Sequence, residues 1–226
     1  MKILAIDTSS EGCSVALSSD DHIVEQFEIA PRRHTKLVIP MMEAVLAEAE
    51  CALSDLDMLA FACGPGSFTG LRVAASVAQG VALGADLPIV PVSTLAALAK
   101  QAQRLNLSDH VVVANDARMA QVYWAEYQVQ QGEMVCLSGE HVSTPSVELL
   151  SQVSTRHCVG NGWQVYEEAF SGFENQVYTE CIHVHAQDVC ALAVKQFSQG
   201  GDWSHELAVP VYVRDQVVRV PTPKNV

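Results

Sequence analysis

The sequence predicts a mixed α/β protein of two lobes, and three observations predict it. Short apolar runs bounded by turn residues alternate with stretches of helical periodicity. The order β-β-β-α-β-α of those runs in the first half recurs in the second, without obvious identity between the halves. A polar stretch at 106–109 separates the two.

In the first half, strands are expected at 2–7, 13–18 and 22–29. The third places Ile23, Glu25, Phe27 and Ile29 on one face, as a half-buried strand does. A helix follows over 35–51, with Leu37, Met41, Val45 and Ala49 four apart; Pro40 predicts a late start or a kink. Residues 58–63 are wholly apolar, which suits a parallel strand buried on both faces. A helix at 69–84, a strand at 89–92 and a helix at 94–104 complete the half.

In the second half, strands are expected at 111–115, 121–128, 133–137 and 157–159, with others at 178–183 and 209–213. Helices are expected near Pro145, after Trp163 and over 186–197. The lobes are then 1–104 and 105–226, with the last helix and the tail free to pack back on the first. Two such units side by side make the duplicated ribonuclease-H-like fold of the actin and hexokinase (ASKHA) type.

Composition narrows the function. Thirteen basic residues against 26 acidic ones give a formal charge of −13. Such a chain repels phosphate backbones, so any nucleic acid is expected to be held through a partner. The best candidate for a basic patch is the tail, with Arg214, Arg219 and Lys224. Seven cysteines, with no CxxC, read as small core residues of a reducing compartment. The N-terminal apolar run ends at Asp7, too short for a signal peptide or a span. A cytoplasmic protein without a membrane association is expected.

The segment GPGSFTGLR, from Gly64 to Arg72, follows a strand and opens a helix. A helix N-terminus can hold an anion. The spacing is nevertheless not that of a P-loop, a GxGxxG turn or a GxSxG elbow. A plain strand–helix turn remains the alternative. The helix behind it carries Gly70, Ala74, Ala78 and Ala82 four apart, with Leu71 beside them. That bare ridge lets another helix come close. Either the chain's own first helix or a second subunit could use it. The expected partner surface is therefore Leu37, Met41, Val45, Gly70, Leu71, Ala74, Ala78 and Ala82.

Asp7, Thr8 and Ser9 end the first strand, and Asp116 ends its counterpart in the second half. In actin-like folds such positions face nucleotide phosphates, which makes these four the candidate residues of a degenerate nucleotide cleft. Each acid is also an ordinary strand-end Asp. Gly160-Asn161-Gly162 would be the adenosine-side loop or a plain turn. Cys181, His183 and His185 alternate, but a structural zinc site needs four ligands, and no metal is expected. His34 precedes the first helix without a triad or HExxH around it.

Taken together, ILAIDTSSEGCSVAL, His34 with its helix, GPGSFTGLRVAASVAQGVAL, DARMAQVYWAEY, VGNGW and PVYVR resemble the TsaB (YeaZ) family. The resemblance spans almost the whole chain. It implies a subunit needed for threonylcarbamoyl transfer to N6 of the adenosine beside the anticodon, in transfer RNAs reading codons that begin with A. The implied partners are a catalytic TsaD-type subunit and a TsaE-type ATPase, with a homodimer in their absence. Transfer RNA would be met only through the complex. The family uses its first two helices for the subunit contact. No catalysis alone and no cofactor of its own are implied, with ATP or ADP at the interface with the partner. TsaD-type proteins carry two metal-binding histidines four apart; the matching positions here are Thr94 and Leu98, neither able to hold such a metal. The alternative is an actin-fold ATP-dependent phosphotransferase, or, behind it, a peptidase.

Overall fold

A computed structural model describes residues 1–20, 22–146, 154–155, 157–171 and 176–213. The first sheet contains β1 (Lys2–Asp7), β2 (Gly12–Ser19), β3 (His22–Ile29), β4 (Met58–Gly64) and β5 (Ile89–Ser93), in the order β3-β2-β1-β4-β5. Its first three strands are antiparallel, and β4 and β5 add on in parallel. The second sheet contains β6 (His110–Asp116), β7 (Val122–Gln130), β8 (Glu133–Cys136), β10 (His157–Val159) and β11 (Gln176–Val177), in the order β11-β10-β6-β7-β8. A short β9 (His141–Ser143) pairs with β7 off this path. The two orders are the same order, so the duplication is one of topology. This is the two-lobed fold of the actin and hexokinase type.

Helix α1 (His34–Glu48) enters β4, α2 (Phe68–Ala85) joins β4 to β5, and α3 (Thr94–Arg104) leaves β5. Alternation along β1 sorts the core. Leu4 and Ile6 meet α1 and α2 on one face, whereas Ile3 and Ala5 face the other lobe. There they join α3, the last helix α5 (Ala186–Ser198), and Val111, Val113 and Ala125 of the second sheet. The apolar core is thus continuous from lobe to lobe. On the second lobe's outer face, among the described residues, α4 (Gly162–Val165) and a 3-10 turn at Glu167–Phe170 pack on the sheet through Trp163 and Phe170.

Several expectations are corrected. Pro40 neither delays nor breaks α1; it sits inside the helix on an exposed position, where the missing N–H costs one solvent-side bond. Residues 178–183 form turns, and the strand before them is the two-residue β11. Residues 209–213 are not a strand either. Both edges of β4 are already taken by β1 and β5, so this segment reaches it only at its end, through Val211 N–H to the Cys63 carbonyl at 2.7 Å. The helix expected near Pro145 and the basic residues of the tail lie outside the described residues.

From α5 the chain returns along α2 as a strap. Trp203 accepts the Ile89 N–H at 2.9 Å, and His205 accepts from Gln79 at 3.3 Å. Ala208 enters the core beside α2, and Tyr212 reaches Arg72 near the start of that helix. Helix α5 itself is clamped to α3. Arg104 donates Nε and Nη2 to the two oxygens of Asp188 at 2.8 and 2.9 Å, and that carboxylate is 1% exposed. Arg104→Met would leave the charge buried and unpaired, and is expected to lower unfolding stability by about 3 kcal/mol. Removing both charges as Arg104→Met with Asp188→Met should cost less than the single change, as read from urea denaturation midpoints.

Candidate functional site

The segment between β4 and α2 is seated on the end of β1. Ser67 caps α2 by accepting from Gly70 N–H at 3.3 Å, and its own N–H donates to the Ser9 carbonyl at 2.7 Å. Thr8 Oγ1 donates to the Gly70 carbonyl at 2.7 Å. A methyl group at Gly70 would collide with the Thr8 carbonyl oxygen. Gly64 has φ +125° and lies against the Val211 carbonyl, where a side chain has neither the backbone conformation nor the room. The turn that resembles an anion cradle is therefore filled by the chain itself.

Asp7, Thr8 and Ser9 are buried to within 2% of full exclusion. Asp7 Oδ1 accepts the Ser9 N–H at 3.2 Å, and Oδ2 has no partner among the described residues. Burial pushes this carboxyl up to about 7, against the pull of the Ser9 bonds. Across the fold, Asp116 is held differently. Oδ1 accepts from Tyr166 Oη and from Arg118 N–H, each at 2.7 Å, and Oδ2 pairs with Arg118 Nη1 at 3.1 Å. Burial, followed by the bond to Asp116, pushes the Tyr166 phenol up to about 12, so it stays a donor near neutrality. The expected adenosine-side loop is closed as well. Asn161 Oδ1 accepts the Asp116 N–H at 2.8 Å, and Gly160 packs on the Ala114 carbonyl with no space for a methyl group. The four cleft candidates thus sit at equivalent strand ends, with the first acid buried on the face of β1 that meets the other lobe and the second in an ion pair.

The other candidates have local roles. His183 Nδ1 meets Ser10 Oγ at 3.1 Å, and His185 Nδ1 meets Glu25 Oε2 at 2.9 Å while stacking on Phe27. Cys181 is wholly buried in the core. Since these residues lie in turns, they do not share a strand face, and no group of metal-ligating side chains occurs among the described residues. His34 Nε2 lies 3.2 Å from the Gly12 carbonyl. Thr94 and Leu98 are buried, Leu98 in the shared core.

Sequence reasoning missed a serine–histidine–glutamate meeting on the second lobe. Ser154 Oγ donates to Glu126 Oε1 at 2.8 Å, and His110 Nε2 lies 2.9 Å from the same oxygen. A nucleophilic serine must give its proton to the imidazole. Here the hydroxyl donates to the carboxylate, and the imidazole is 3.5 Å away. No spacing in the sequence announces this cluster, because β6, β7 and the segment at 154–155 bring it together.

The helices α1 and α2 present the remaining feature. The ridge Gly70, Ala74, Ala78 and Ala82 faces the chain's own sheet and is buried, as are Leu71, Met41 and Val45; Leu37 is half-buried. The opposite side of α2 carries Phe68, Arg72, Ser76, Gly80 and Leu83, all exposed, with Leu83 at 64%. On α1, Ile39 is 51% exposed. Between the helices lies a groove of about 430 Å³, lined by Thr35 of α1 and by Phe68, Arg72, Val73, Ser76 and Val77 of α2. The exposed positions sit about half a turn from the ridge, so the signal that finds them is the same periodicity read from its other side.

Known proteins share this chain along its length. The family model described as TsaD, tRNA N6-adenosine threonylcarbamoyltransferase, matches residues 20–200. The tRNA threonylcarbamoyladenosine biosynthesis protein TsaB of Escherichia coli K12 is 41% identical over 228 residues, covering 96% of each chain. Its counterpart in Haemophilus influenzae is 36% identical, covering 96% of this chain and 95% of that one. Among solved structures, YeaZ from Pseudomonas aeruginosa superposes with a TM-score of 0.85 at 38% identity, covering 93% of this chain and 99% of that one. With this identity over nearly its full length and the same fold, the chain belongs to the TsaB (YeaZ) family.

Proposed function

We propose that this protein is the non-catalytic partner subunit in threonylcarbamoyladenosine synthesis on transfer RNA. It holds and activates a TsaD-type catalytic subunit, together with a TsaE-type ATPase. The observation that carries the reading is a contrast. The strand-end acids where an actin-fold phosphotransferase would grip its metal nucleotide are sealed or paired, whereas α1 and α2 leave an apolar face open. Buried carboxylates without a path to solvent do not bind Mg²⁺ readily. Exposed Ile39, Leu83 and Phe68 around a groove are the kind of surface that a protein partner covers.

The contact surface on this reading is the outward side of α1 and α2. The buried ridge acts beneath it, drawing α2 tightly onto the sheet. A second copy uses the same face when the TsaD-type subunit is absent. ATP or ADP sits at the interface with the partner, and transfer RNA is met through the assembled complex, in the cytoplasm. Among the described residues, no helix is long and apolar enough to cross a membrane.

Two experiments test this reading. Threonylcarbamoyl transfer by the TsaD-type and TsaE-type subunits, assayed with and without this chain, should collapse in its absence; a full rate without it contradicts the proposal. The second concerns the sealed acid. Folded Asp7 holds its proton up to about pH 7, whereas an unfolded chain releases it near pH 4. The stability that this proton carries is complete below about pH 4 and is lost as the pH rises through 7. Asp7→Asn should therefore gain on wild type by about 2.5 kcal/mol more at pH 8 than at pH 5 in urea unfolding. Equal differences at the two pH values would mean that the carboxyl is open to water or to a ligand.

A further inference from the structure

We infer that Arg72 is the charged anchor of the α1–α2 groove, and that the partner helix seated there carries a carboxylate among small apolar residues. The inference deepens the docking reading above and rests on it. Arg72 is exposed on α2 within a lining that is otherwise apolar or hydroxylic. Its guanidinium lies 3.8 Å over the Phe68 ring, and Nε donates to Tyr212 Oη at 3.2 Å. Tyr212 also packs against Phe68, with ring centroids 5.6 Å apart. Tyr212, on the strap that returns from the last helix, thus helps to fix the plane of this guanidinium.

Among the described residues no carboxylate comes within ion-pair distance of Arg72, although the chain has twice as many acids as bases. Covering such a cation with an apolar surface is costly, because it loses water and gains nothing in return. Covering it with a carboxylate restores the balance, and a fork already held in place loses little freedom on pairing. The neighbouring stripe Ser76, Gly80 and Gly84 admits a close backbone, since methyl groups at Gly80 and Gly84 would touch nothing. Val73, Val77 and Leu83 supply the apolar contact on either side. The chemistry that fits is an amphipathic helix with one Asp or Glu in its contact face. A second copy of this chain is the rival occupant, since α1 exposes Glu43.

The test is calorimetric titration of the full-length chain with the TsaD-type subunit at 0.1 M and 0.5 M NaCl. Arg72→Met, which keeps the stem, should weaken binding by at least about 10-fold at low salt and flatten the salt dependence. Arg72→Lys should recover part of the loss, and Tyr212→Phe should cause a smaller one. Leu83→Arg tests the docking itself. Unchanged affinity and salt dependence for Arg72→Met, with binding weakened by Leu83→Arg, overturns the anchor and keeps the docking face. Unchanged binding for both overturns the docking face too. Loss of self-association in Arg72→Met, with the heterocomplex unaffected, assigns the anchor to a second copy and overturns the inference. A tighter complex for Asp215→Asn, a position outside the described residues, does the same in favour of the chain's own C-terminal segment.

Discussion

The rest of this structure depends on the seating of α2 on the end of β1. Two bonds make the joint, Ser67 N–H to the Ser9 carbonyl and Thr8 Oγ1 to the Gly70 carbonyl, at 2.7 Å each. A missing side chain at Gly70 makes it possible, since any Cβ there would meet the Thr8 carbonyl. In an open sheet of this kind, ligands bind beyond the carboxyl ends of the strands. Here that place is filled by the protein's own backbone. Asp7, the last residue of β1, is buried with one oxygen unpartnered among the described residues, and burial pushes its carboxyl up to about 7.

The same joint sets where the outer face lies. With its start pinned, α2 runs along the sheet on its ridge of alanines, and Phe68, Arg72, Ser76 and Leu83 are turned to solvent. The strap after α5 then packs along the helix and brings Tyr212 against Arg72. On the second lobe, Arg118 and Tyr166 neutralise and hold the equivalent acid, Asp116. The two strand-end acids are thus buried or paired, while the outer side of α1 and α2 is exposed.

Much of this was legible in the chain. The apolar runs of β1 and β4 and the four-residue ridge of α2 placed the first lobe nearly to the residue, because burial on both faces leaves a strong pattern. The second lobe was harder to read. Its β11 has two residues and its α4 four, too short for any period to show. Residues 209–213 have strand composition but no free strand edge to join, a fact of topology and not of sequence. The ridge was legible as a packing surface, but not what it packs on. Periodicity marks a face as bare; only the fold says that Ala74 and Ala78 lie on the sheet, wholly buried. The pairing of Asp116 with Arg118 lay two residues away in the chain, yet needed the turn between β6 and β7, with Arg118 at φ +60°, to fold it back.

Hydrogen–deuterium exchange on the chain, alone and bound to the TsaD-type subunit, tests the central claim most directly. The account places the working surface on the back of the first lobe. Binding should then slow exchange across 34–48 and 68–85, while the turns at 8–11 and 117–121, on either side of the cleft, exchange as before. Protection confined to those cleft turns, with α1 and α2 unchanged, would contradict it.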